Sequence, residues 1–177
     1  MKSTFIACAI SGLLFVSTNA HAEDFAGYLL KAVTPKGSQW QTKNDDEMAS
    51  AFANAGVKRY KWSADTGKDE ITLFVLPGQN QPPSAARDSD TRAAEKNCKT
   101  HISQTDMGDT STPYMGWSVI CTQANGNVMT LRHFAYQLGG DTYKVSRTWR
   151  EMPSEQTVAQ WSATLASIAD HINSTKP

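Results

Sequence analysis

The sequence predicts an α+β domain, built on a single antiparallel sheet of about five strands with helices packed on it. Three observations support this prediction. Two β-rich segments flank a turn between residues 57 and 76, and two glycine-containing turns divide residues 115–151 into three alternating segments. Apolar side chains at helical spacing mark residues 153–172. The sheet would therefore consist of a hairpin plus a three-stranded meander.

The composition excludes several classes of protein. The chain has 177 residues, 40% of them hydrophobic, with 17 basic and 17 acidic side chains. This apolar content is too high for a disordered tail. Because the charges balance, no basic field is present to hold a phosphate backbone, and we expect no nucleic-acid partner. The sequence contains no motif that indicates a particular reaction or a phosphate-binding loop. We therefore expect no cofactor.

Residues 1–22 have the features of a cleaved signal peptide. Lys2 supplies the positive start, residues 5–16 form an apolar run, and Ala20-His21-Ala22 is a small-x-small cleavage site. The run is shorter than the roughly 20 residues of a membrane-spanning helix, which argues against a permanent amino-terminal anchor. We expect cleavage after Ala22.

Residues 23–177 would then form a single exported domain, periplasmic or secreted, with no transmembrane segment. A segment of this length is of the usual size for a single domain with one hydrophobic core. A lipoprotein is the weaker alternative, since Cys8 precedes most of the apolar run.

Two cysteines, Cys98 and Cys121, remain after cleavage. An even pair in an oxidising compartment predicts one disulfide. The alternative is a redox-active pair, but the sequence contains no CxxC motif.

The first half of the chain alternates helical and extended patterns. Residues 23–33 are weakly helical, and Asn44-Asp45-Asp46-Glu47 resembles a helix start, with the helix running to about Ala55. A hairpin of residues 57–63 and 70–76 follows. The alanine-rich residues 84–101 predict an exposed helix carrying Cys98, and the polar residues 103–113 predict a loop.

The meander depends on two turns, Asn125-Gly126 and Gly139-Gly140. Two-residue loops at both would set Trp117 opposite Phe134 and Phe134 opposite Val145. They would also set Arg132 opposite Arg147. Since side chains alternate between faces, one aromatic face is predicted, and it would form the core: Trp117, Val119, Cys121, Phe134, Tyr136, Tyr143, Val145 and Trp149.

The other face is predicted to be mainly polar and to include His133, Lys144 and Ser146. The last helix begins at Pro153-Ser154. Its apolar stripe is formed by side chains three or four residues apart: Val158, Trp161, Leu165, Ile168 and Ile172.

Arg132 and Arg147 are unexpected on a core face, because an unpaired buried cation costs several kcal/mol. One interpretation places them at the sheet margin, where they would stack on an aromatic ring or pair with an acid: Trp149 or Tyr143 for stacking, and Asp141 or Glu151 for pairing. The other is an anion or carboxylate site bounded by aromatic rings, since arginine presents a planar fork of donors.

Motifs for metal binding and nucleophilic catalysis are absent from the sequence. His101, His133 and His171 are about thirty or more residues apart, with no HxxxH or HExxH, and we expect no metal site. The sequence contains no GxSxG or SxxK and no DxDxDG calcium loop.

We therefore expect a non-catalytic exported binding module, acting on a protein or cell-envelope component as an inhibitor, immunity protein or assembly factor. Trp40, Trp62 and Tyr114 are candidate anchors, since they fall near predicted loops or strand ends. Core packing is the alternative role for each ring. The alternative functions are a small periplasmic hydrolase with a dispersed site and an anion-binding protein using Arg132 and Arg147.

Overall fold

The computed structural model describes residues 19–44 and 48–175. Within these ranges the chain forms four α-helices and seven strands. The helices are α1 (Asn19–Val33), α2 (Ala49–Asn54), α3 (Pro83–Asn97) and α4 (Glu155–Ser174). The strands are β1 (Gln41–Thr42), β2 (Lys58–Ala64), β3 (Asp69–Leu76), β4 (Thr100–Met107), β5 (Tyr114–Thr122), β6 (Val128–Leu138) and β7 (Asp141–Trp149).

The predicted α+β class is confirmed, but the predicted number of strands is wrong. In the described part of the chain all seven strands join one antiparallel sheet, in the order β1-β2-β3-β7-β6-β5-β4. The hairpin β2–β3 and the meander β5–β6–β7 occupy its centre, as predicted. The two unpredicted strands, β1 and β4, lie at its edges.

The prediction was wrong at β4 because an edge strand needs little apolar content. Helix α3 ends at Asn97, and residues 100–107 are extended, where a helix to His101 and a loop from Ser103 were predicted. The predicted second helix is also shorter, since α2 begins at Ala49. Its predicted acidic first turn, residues 45–47, lies outside the described residues, as do residues 1–18 of the predicted signal peptide.

The register of the β5–β6 hairpin differs by one residue from the predicted register. Trp117 lies opposite His133, and Gly116 lies opposite Phe134. The loop is one residue longer than Asn125-Gly126: Gln123 N–H donates to the carbonyl of Asn127, and Gly126 has φ +86°. This is a three-residue loop with its glycine in the left-handed region.

A slip of one residue moves every side chain of a strand to the other face. Trp117, Val119 and Cys121 therefore lie on the face opposite Phe134 and Val145, and the single aromatic face predicted from the sequence is wrong. The β6–β7 register agrees with the prediction, since Phe134 lies opposite Val145.

Helices α1 and α4 cover the face that carries Phe134, which we call the α1–α4 face. Phe25, Leu29 and Val33 of α1 are buried there. Four residues of the predicted α4 stripe are buried with them, Trp161, Leu165, Ile168 and Ile172, whereas Val158 is only partly buried. Ser154 caps α4 by accepting a hydrogen bond from the Thr157 N–H. These three α1 residues belong to the segment predicted to remain after cleavage.

Helix α3 covers part of the opposite face, which we call the α3 face. Ala94 packs there against Trp117 and Val119. The predicted disulfide is confirmed: Cys98 and Cys121 are joined with a Cα–Cα distance of 5.4 Å. This bond ties the end of α3 to β5. No helix among the described residues is long and apolar enough to cross a membrane.

Candidate functional site

Arg147 lies in a cluster of three indole rings and forms an ion pair with Asp69. Its Nε and Nη2 donate to the two Asp69 carboxylate oxygens at 3.0 and 2.6 Å. The guanidinium carbon lies 4.9–5.5 Å from the ring centres of Trp149, Trp40 and Trp161. The guanidinium group is thus both paired with a carboxylate and stacked on aromatic rings, as in the first interpretation of this residue.

Arg132 lies directly opposite Arg147, as the sequence predicted. Its Nη1 donates to the Ser162 hydroxyl of α4 at 2.7 Å and lies 3.9 Å from Asp106 Oδ2. The two guanidinium groups therefore face separate carboxylates on separate strands. The acids that pair with them are Asp69 and Asp106. The sequence had suggested Asp141 or Glu151 instead.

The three candidate anchors all contact the core of the α1–α4 face. Trp62 is buried with 9% of its surface exposed, and Trp40 is half-buried against Arg147. Tyr114 stacks on Phe134 at 5.8 Å between ring centres. These positions bring Trp40 close to Arg147, whereas Tyr114 lies on β5, on the far side of β6 from Arg147.

A polar cluster lies on the α3 face beneath α3. His133 Nδ1 is 2.9 Å from the Ser146 hydroxyl and 3.4 Å from Asp90 Oδ2. Asp90 Oδ1 accepts a hydrogen bond from Lys144 Nζ at 2.6 Å. The imidazole also stacks on Trp117, with ring centres 5.1 Å apart. Both the hydroxyl and the carboxylate therefore approach the same imidazole nitrogen.

Burial is the main cause that lowers the pKa of His133 to about 4; Asp90 opposes this shift, and the positive charge of Lys144 adds to it. The imidazole is therefore neutral at neutral pH. A serine nucleophile would need one imidazole nitrogen for its hydroxyl and the other for the orienting carboxylate. The approach of both groups to Nδ1 does not have that geometry.

A cavity of about 200 Å³ adjoins this cluster, between α3 and strands β5 and β6. Asp90 and His133 line one part of it, and Asn97 and Gln123 add two side-chain amides. The remaining walls are apolar: Ala93, Ala94, Val119, Leu131, Met129 and the Cys98–Cys121 disulfide.

On the α1–α4 face, part of the sheet near the β4 edge is not covered by any of the described helices. Ile102 of β4 pairs across the strands with Ile120 of β5, and their exposed fractions are 65% and 39%. By strand alternation they share the α1–α4 face, beyond the area that α4 covers. We call this surface the open strip, and its residues are Thr100, Ile102, Gln104, Ser118, Ile120 and Thr122.

Sequence reasoning missed the open strip, although one signal was available. Thr100 and Ile102 are β-favouring residues two positions apart with a polar residue after each, a short alternation that is compatible with a strand. The abundance of Ser, Thr and Asp in this segment favoured the loop prediction instead.

Comparisons with protein-family models and with curated proteins find no match for this chain. The described residues contain no group of three or more His, Cys, Asp or Glu side chains that could hold a metal ion.

Proposed function

We propose that the processed chain is an exported binding module that holds an extended segment of a partner protein against the β4 edge. The observation that supports this most is the exposed Ile102–Ile120 pair beside a strand with one unpaired edge. In this mode the backbone of the incoming strand supplies affinity, and the side chains beside it supply specificity.

The β4 edge has little of the protection that edge strands of monomeric proteins carry. Residues 100–104 include no Lys, Arg, Asp, Glu or Pro, although charged side chains and proline are common means of blocking an edge. The bulge between Thr105 and Met107 restricts regular pairing to the first part of the strand. An incoming segment would therefore pair over about five or six residues.

An extended polypeptide fits this surface better than a small molecule. The unpaired backbone N–H and C=O groups repeat along β4 at strand spacing, and only another extended chain matches them all. The open strip beside the edge contains no charged side chain, so we expect the partner segment to present a β-branched or other apolar residue next to Ile102.

The other two functions have weaker geometric support. Arg132 and Arg147 each face a carboxylate of the chain itself, so an incoming anion would have to displace Asp106 or Asp69. In a hydrolase built on His133, Ser146 and Asp90 would have to contact different nitrogens of the imidazole, but both approach Nδ1. The binding proposal needs neither rearrangement.

Site-specific photocrosslinking in the producing cell tests the proposal. A photoreactive amino acid replaces Ile102, and Met152, 73% exposed and outside the open strip, serves as the matched control position. We expect one partner adduct from position 102 and none from position 152. A synthetic peptide covering the crosslinked partner segment should then bind the purified protein and slow amide exchange in β4.

Three results would contradict the proposal: equal adducts at both positions, a partner peptide that leaves β4 exchange unchanged, or an adduct only between two copies of this chain. The exported state has a separate test, since amino-terminal sequencing of the protein from the envelope fraction should begin at Glu23. Retention of Met1 would contradict export by cleavage after Ala22.

A further inference from the structure

We propose that the cavity beneath α3 is a second binding site, for an uncharged single-ring molecule that carries one hydroxyl group. This site lies on the α3 face, whereas the open strip lies on the α1–α4 face. The inference is therefore independent of strand addition at β4.

The size of the cavity limits the size of the ligand. Its volume is about 200 Å³, whereas sites for drug-sized ligands usually exceed about 300 Å³. A dry apolar cavity of about 150 Å³ can hold benzene. A six-membered ring with one or two further heavy atoms therefore fits.

The walls set the polarity of most of the ligand. Ala94 and Val119 are buried, with 7% and 3% of their surfaces exposed, and Leu131 and Met129 complete an apolar surface with the disulfide. A polar ligand would lose its hydration against these groups without regaining hydrogen bonds. An aromatic or aliphatic ring has no hydrogen bonds to water to lose there, and its burial removes apolar area from water.

The polar part of the cavity sets the charge of the ligand. The carboxylate of Asp90 is paired with Lys144, and the His133 imidazole is neutral at neutral pH, so this part has no net charge to balance an ion. A charged ligand would enter without a counter-ion, which is costly in a partly buried site. A hydroxyl group can donate to or accept from the Asn97 and Gln123 amides at the cavity wall.

The structure also explains why this cavity can persist while the protein is folded. The disulfide holds the end of α3 against β5, and the Lys144–Asp90 contact ties the middle of α3 to β7. The helix is thus fixed at two points on either side of the gap. Both links restrict movement of α3 relative to β5 and β7.

The test uses phenol as the probe, with benzoate and benzylammonium as charged molecules of similar size. Nuclear magnetic resonance of the Met129 methyl group and the His133 ring reports on occupancy, since both side chains line the cavity. We expect a saturable phenol-dependent shift with a dissociation constant of about 1 mM or below. The charged analogues should bind at least about tenfold more weakly.

Three variants of α3 separate binding in the cavity from binding elsewhere. Ala94→Leu enlarges a buried residue of the cavity wall, and Ala93→Leu enlarges an exposed residue that also lines the cavity. Ala86→Leu makes the same change on the same helix, at a residue that packs on the sheet but does not line the cavity. We expect each filling variant that folds to weaken phenol binding at least about tenfold, and Ala86→Leu to change it less than about twofold.

The proposal fails if phenol produces no saturable shift up to its solubility limit. It also fails if Ala93→Leu binds phenol as the unmodified protein does, or if benzoate or benzylammonium binds as tightly as phenol.

Discussion

Asp69 and Arg147 form a two-point ion pair across neighbouring strands, and only 14% of each side chain is exposed. Asp69 lies opposite Trp149 at the start of β3, while Arg147 lies opposite Ile71. The pair is therefore diagonal across β3 and β7, beside Trp40 and the first half of α4. Three tryptophan rings surround the guanidinium group and shield the pair from water.

Replacing Asp69 by Asn should lower the free energy of unfolding by about 3 kcal/mol, because the change leaves a buried guanidinium without its counter-charge. Denaturant unfolding measures the loss. Arg150→Ala is the control, since that arginine pairs with Glu70 but is half-exposed, and its removal should cost about 1 kcal/mol or less. Equal losses in the two variants would contradict the structural role assigned to the Asp69 pair.

Replacing Cys98 and Cys121 together by Ser should lower the free energy of unfolding by about 3 kcal/mol, because the disulfide closes a loop between residues 23 positions apart. Denaturant unfolding of the oxidised protein, the reduced protein and the double variant measures this effect. The reduced protein and the double variant should agree. No difference between oxidised and reduced protein would show that the bond contributes nothing to stability.

His133 makes stability depend on pH in the mildly acidic range. Because its pKa is about 4 in the folded state and about 6.5 in the unfolded state, the unfolded state binds the extra proton first as pH falls. Stability contributed by the neutral imidazole is complete above about pH 6.5 and falls as pH drops toward 4. The full loss amounts to about 3 kcal/mol.

The variant His133→Gln isolates this contribution. Glu70 also contributes stability that is lost as pH falls: burial raises its pKa, but hydrogen bonds from Lys61 and Arg150, together with their positive charges, outweigh burial and hold the pKa below its usual value. That contribution is common to both proteins. Between pH 4 and 7 the unfolding free energy of the variant should therefore change less than that of the unmodified protein. Parallel curves would contradict the burial of a neutral imidazole.

Elements whose buried side chains recur at regular spacing along the sequence were predicted correctly. Trp161, Leu165 and Ile168 mark α4 because a helix that packs on a sheet needs an apolar stripe. The β6–β7 turn was predicted correctly because Gly139 and Gly140 readily adopt the positive φ values that both central residues of a type I′ hairpin loop need.

The face of β5 could not be predicted in the same way, because strand β5 has large side chains on both sides. Met115, Trp117 and Val119 point to α3, while Tyr114 packs on the α1–α4 face. Only the length of the loop at Asn125-Gly126 decides between the two registers, and that dipeptide fits loops of either two or three residues. The contact of Trp117 with His133 depends on that register and was missed with it. His133, Lys144 and Ser146 were placed on one face by the β6–β7 register, but the approach of Asp90 from α3 was not predicted.

Strand addition at the β4 edge is tested most directly by the affinity of the processed protein for the crosslinked partner segment, measured by isothermal titration calorimetry. Ile102→Lys places a charge on the open strip, and Met152→Lys places the same charge on an exposed residue outside it. We predict that Ile102→Lys weakens binding by roughly tenfold or more and that Met152→Lys leaves it unchanged. Equal affinity in the two variants would contradict binding at this edge.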